Sequence, residues 1–208
     1  DCINILEKNL GIVAKKKYLK LQKGDMHKTF SNNNKILKIT FLTLIGSILI
    51  ALSAKVKIPF YPVPMTMQTF TVILIGAIYG WKLGLSTVML YLIEGALGLP
   101  VFAGTPEKGL GLAYMIGPTM GYLIGFIPAV IIIGYFHKKM ELKNSSFIKT
   151  FLLILLSISF IYLFGAIWLS NFTGWDKVLA LGVYPFLPAE IFKIIILTIV
   201  CKFIKFRI

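Results

Sequence analysis

The chain has little of what soluble enzymes work with. Its 208 residues include two histidines, two cysteines and eight acidic side chains. His27 and His137 both lie in polar segments, so no apolar segment holds a histidine that would activate a serine or cysteine, or anchor a metal ion. The sequence has no G-x-x-x-x-G-K run followed by Ser or Thr, which excludes ATP hydrolysis by that phosphate cradle. It has no H-E-x-x-H either, and no obvious pair of inverted halves with broken helices. No catalytic residue, metal site or cofactor is expected, and the chain is not read as an enzyme.

What fills the sequence instead is apolar. Hydrophobic residues make up 57% and charged residues 14%, with a mean hydropathy of +0.84. That balance belongs to an integral membrane protein embedded in a lipid bilayer. Apolar runs at about 39–54, 66–80, 83–99, 118–136, 147–170 and 185–204 approach the roughly 17 to 25 residues that a span requires. Six transmembrane helices are expected, in an all-α fold. The runs are continuously apolar rather than alternating, which argues against a β-barrel.

The net charge of +14 does not point to nucleic acid, because the bases are not gathered with aromatics on a soluble domain. Topology accounts for them. With the N-terminus inside, Lys82, Lys138, Lys139, Lys143, Lys149, Lys202, Lys205 and Arg207 face the cytoplasm, and Lys55, Lys57, Lys108 and Lys177 face outward. Both termini are therefore placed in the cytoplasm of a multi-pass cell-membrane protein. Cys2 and Cys201 then lie on the reducing side, where no structural disulfide is expected.

Residues 1–35 are polar and lysine-rich and read as a mobile arm preceding a membrane domain over 36–208. With Met26 shortly before the first span, one reading puts 1–25 upstream of the natural start; the alternative is an arm that touches anionic headgroups. Pro59, Pro62 and Pro64 force an extended or turning connection after the first span. The apolar, Gly-rich connection after the third span is expected to fold back over the outer end of the bundle and cover a cavity. Gly117, Gly121 and Gly125 recur at steps of four, a pattern read as close helix packing. Ser47 and Ala51 make a looser small face on the first span.

Three ionisable residues lie well inside the expected spans: Glu94, Glu190 and Lys193. Charge at that depth is costly, so each is a functional candidate. Glu190 and Lys193, at i and i+3, share a helix face roughly 8 to 12 Å below the start of the last span. They form either an internal ion pair that locks the bundle or a polar patch for a small molecule with N–H donors and an oxygen acceptor. Phe102, Tyr114, Tyr122, Trp168 and Trp175 populate the same outward zone, as ligand contacts or as interfacial belt residues.

The runs KIPFYPVPMTMQTF (57–70), YLIEGALGLPVFAG (91–104), IGPTMGYLIGF (116–126) and PFLPAEIFK (185–193) resemble, in order and spacing, the BioY family, the substrate-binding S components of energy-coupling factor (ECF) biotin importers. The resemblance covers about 36–205. It implies a six-helix S-component fold that binds biotin from outside, with transport supplied by a transmembrane coupling protein and ATP-binding subunits. The family usually has Asp at the position of Glu190, followed by the lysine that matches Lys193, and the pair contributes to ligand binding. On this reading Glu190 accepts from the ureido N–H groups, and Lys193 donates to the ligand or holds Glu190 ionised and oriented. Glu94 is a ligand contact or a packing residue, and Lys108 is a candidate for the valerate carboxylate. Small residues of the first helix, here Ser47 and Ala51, are the candidate contact with the coupling protein. The alternatives are an S component for another vitamin and a stand-alone channel or facilitator.

Overall fold

Long apolar stretches satisfy their own backbone as helices, and helices dominate residues 35–58, 61–140 and 145–203, the part of the chain that the computed structural model describes. Two units separate, Asp1–Leu42 and Thr43–Ile208. Of the first, only 35–42 are described, as the beginning of helix α1 (Lys35–Lys55). The basic arm, apart from Lys35, lies outside the described residues.

After α1 come two short antiparallel strands, β1 (Lys57–Ile58) and β2 (Met65–Thr66), pairing Lys57 with Thr66 and Ile58 with Met65. Then follow α2 (Gln68–Ala96), a single turn α3 (Leu112–Met115), α4 (Met120–Met140), α5 (Phe147–Thr173), the short α6 (Val178–Gly182), a 3-10 turn (Tyr184–Phe186) and α7 (Leu187–Phe203). The bounds lie within a few residues of those expected, with one difference of substance: the second and third spans are one element, α2, broken only at Gly80.

The break is a reversal. Gly80 has φ 73° and ψ 173°, a conformation open to glycine and strained for other residues. Gln68 Nε2 and Tyr91 OH are 23 positions apart and 2.6 Å from each other, where a straight helix would separate them by about 34 Å. The legs 68–79 and 81–96 therefore run antiparallel, so close that a Cβ on Gly84 would lie 3.3 Å from the Cα of Gly76. With α1, α4, α5 and α7 they make six apolar helical segments among the described residues.

Helix association in lipid relies on close packing, because lipid tails are as apolar as the side chains. α4 lies against both legs of α2: a Cβ on Gly134 would stand 2.4 Å from the backbone nitrogen of Trp81, and one on Gly76 would meet Ile133. On its other side α4 meets α5, where Gly121 faces Phe164 and Trp168 and Gly125 faces Ile161. The four-residue glycine step is thus a packing face, although Gly117 precedes the helix. Exposed Leu152, Leu156, Leu163 and Ile167 of α5 and Ile191, Phe192, Ile195 and Ile199 of α7 present the apolar exterior that a bilayer requires.

Candidate ligand-binding site

Proline sets up the centre of the site. Pro185 sits in the 3-10 turn and Pro188 in the first turn of α7, where a missing N–H costs nothing. Glu190 falls in that same first turn, at the positive end of the helix dipole. Lys193 follows one turn later, and the two are only 4% and 5% exposed. Lys193 Nζ lies 2.7 Å from Glu190 Oε1.

The start of α2 completes the polar cluster. Lys193 Nζ also donates to the Thr66 carbonyl at 2.6 Å and to Thr69 Oγ1 at 3.1 Å. An ammonium has three protons, so all of them are engaged within the protein. Thr69 Oγ1 lies 2.9 Å from Glu190 Oε1 and 3.1 Å from Oε2, and Tyr162 lines the same cavity as the carboxylate. Lys193 thereby spends its protons inside the protein, and Glu190 is the member of the pair that lines the cavity.

An open-mouthed cavity lies between the beginnings of α2 and α7, α4 and α5, a concave and mostly apolar setting of the kind small-molecule sites use. Its wall is mostly apolar and aromatic: Tyr114, Tyr122, Leu123, Phe126, Tyr162 and Phe186 surround Thr66, Gln68, Thr69, Thr119 and Glu190. Tyr122 packs on Gly165, where a Cβ would fall 2.4 Å from its ring, and its hydroxyl donates to the Gly182 carbonyl at 2.7 Å. Val63 and Pro64 from one connection and Ala103 from the other close the remaining side. The Gly-rich connection does lie over the cavity.

Several expected site residues are elsewhere. Glu94 does not line the cavity; it accepts from Ser47 Oγ at 3.0 Å and ties α2 to α1. Ser47 is fully buried beneath that bond, and Ala51 is half-buried. Lys108 is exposed and donates to the Pro62 carbonyl at 3.3 Å, outside the cavity lining. Trp168 donates to the Gly117 carbonyl at 2.9 Å, which anchors the start of α4 rather than a ligand. Phe102 stands behind the wall, its ring 4.9 Å from that of Tyr114.

The sequence reading missed Thr66, Gln68, Thr69, Thr119 and Tyr162. Four of these are neutral polar residues, and Thr66, Gln68 and Thr69 sit together in VPMTMQTF, polar residues clustered at the mouth of an apolar run. Gln68 is fixed twice: its Nε2 donates to Tyr91 OH, and its Oε1 accepts from Thr66 Oγ1 at 3.3 Å.

A helical membrane protein with a largely apolar cavity and a buried charge pair at its edge is of the small-molecule-binding kind. The chain belongs to the BioY family, whose model matches residues 26–208. It is 40% identical to a probable biotin transporter BioY of Pyrococcus horikoshii over 70% of this chain and 82% of that one. It is 35% identical to the biotin transporter BioY of Thermotoga maritima, over 76% and 89%. A crystal structure of the S-component for biotin from an ECF-type ABC transporter superposes with a TM-score of 0.70 at 26% identity, covering 82% of this chain and 92% of that one.

Proposed function

We propose that this chain is the biotin-binding S component of an energy-coupling factor importer and that it captures biotin from the extracellular side. The observation that carries the proposal is the Glu190–Lys193 pair at 2.7 Å, nearly sealed from solvent yet with Glu190 on the cavity wall. Lys193 and Thr69 leave the carboxylate fixed, with acceptor capacity on Oε2. Two ureido N–H groups of a neutral bicyclic ring are suited to such an acceptor. Tyr114, Tyr122, Tyr162 and Phe186 supply the apolar and aromatic surroundings for that ring.

Transport in this reading draws on a transmembrane coupling protein and ATP-binding subunits, which fits a sequence without a phosphate loop. Both termini are placed in the cytoplasm on the strength of the lysine distribution. The contact with the coupling protein uses another surface than Ser47, which is occupied by Glu94.

The test is a calorimetric titration of the purified chain in detergent. Saturable one-site binding of biotin, with no heat from thiamine, riboflavin or niacin, is expected. A folded protein that gives no heat with biotin, or that takes another vitamin instead, overturns the assignment. Sustained uptake by vesicles holding this chain alone would overturn the need for coupling subunits.

A further inference from the structure

Residues 101–105 cross the outer end of the protein without regular structure, yet most of their carbonyls are held by side chains from other elements. Tyr91 donates to the Val101 carbonyl at 3.3 Å and Tyr114 to that of Ala103 at 2.5 Å. Lys55, the last residue of α1, directs Nζ at the Phe102 carbonyl (3.1 Å), the Thr105 carbonyl (3.1 Å) and Thr105 Oγ1 (3.0 Å). Three acceptors match the three protons of an ammonium. Thr105 Oγ1 itself donates to the Phe102 carbonyl at 2.7 Å, so the acceptors form one rigid cluster.

This strap bears on the cavity. Ala103 lines it directly, and Phe102, fully buried, backs Tyr114, a second lining residue. We propose that Lys55 is a positioning residue for ligand binding: its ammonium pins the 101–105 strap to the end of α1 and so holds Ala103 and Tyr114 at the cavity wall. Lys55 does not line the cavity and takes no part in the Glu190–Lys193 cluster, so it acts on the ligand through the strap alone. The inference rests on the ligand reading above for its binding arm and on the structure alone for its second arm.

The experiment compares the full chain with Lys55→Met and Lys55→Arg in two measurements. Hydrogen exchange without ligand should be faster at amides 101–109 in Lys55→Met, unchanged over 187–203, and close to the parent in Lys55→Arg. Biotin affinity should fall about tenfold in Lys55→Met, chiefly through faster dissociation, and stay within about threefold of the parent in Lys55→Arg. Unchanged exchange at 101–109 overturns the latch. Faster exchange with unchanged affinity overturns the positioning role, and faster exchange throughout the helices shows a general stabilising role instead. If the parent chain binds no biotin, the ligand reading fails, and the exchange measurement still decides whether Lys55 holds the strap.

Discussion

Thr69 holds one hydroxyl within 3.1 Å of both oxygens of Glu190, across 121 positions of sequence. The same oxygen accepts from Lys193. A neutral side chain thus bonds to both members of the ion pair, beside their direct 2.7 Å contact, and fixes the carboxylate from a second side. The first two predictions follow from that arrangement.

Glu190→Gln keeps the shape but removes the charged acceptor. Biotin binding is expected to weaken by roughly 1.5 to 3 kcal/mol, about 10- to 150-fold in affinity, in a calorimetric titration. Unchanged affinity with a lowered thermal midpoint would assign the pair to stability alone.

Lys193→Met leaves a buried carboxylate without its cation, a change that typically costs about 3 to 5 kcal/mol. The double variant Glu190→Gln/Lys193→Met should regain much of the thermal midpoint lost by Lys193→Met, because the stranded charge is gone. Additive losses in the cycle would show that the two side chains do not act as a unit.

Gly95 makes room for Phe102: a Cβ there would lie 2.0 Å from the ring. Gly95→Ala is expected to destabilise the protein by about 1 to 3 kcal/mol through overpacking. Phe102→Leu in the same chain should recover part of the loss. Thermal unfolding followed by tryptophan fluorescence measures both.

Burial holds the Tyr114 phenol above its ordinary range, against an opposing hydrogen bond from Thr119. The unfolded phenol titrates near about 10. The contribution of this group is fully present below that value and is lost as pH rises through the higher folded value. The unfolding midpoint of Tyr114→Phe should therefore fall less steeply above about pH 10 than that of the parent. The stability of the variant should start lower by about 1 kcal/mol, because the Ala103 carbonyl loses its donor.

The charge pair was legible in the sequence because ionisable residues in an apolar run are conspicuous and three positions along a helix share a face. The six apolar segments were legible for a similar reason. Thr69, Thr119 and Tyr162 were not, because a neutral hydroxyl in a membrane helix has many ordinary uses. Their meeting depends on how α2, α4, α5 and α7 pack. Glu94 stayed open between ligand contact and packing for the converse reason: its depth was conspicuous, but its partner Ser47 lies on α1, and nothing local in YLIEGALG announces that contact. Lys55 looked like one more outward base, and its role depends on a strap whose path only the fold supplies.

The reversal at Gly80 also acts as a ruler. Trp81 and Lys82 stand exposed beside it, the ammonium 5.5 Å from the indole centroid, a pairing suited to a membrane–water boundary. From there the leg 68–79 extends about 18 Å, short of a hydrocarbon slab about 30 Å thick. Gln68 and Thr69, and the charges bonded to Thr69, are therefore suspended at a set distance from one boundary. Acyl-chain length would change how much hydrocarbon separates the cavity mouth from water, and hydrophobic mismatch becomes a variable of ligand capture.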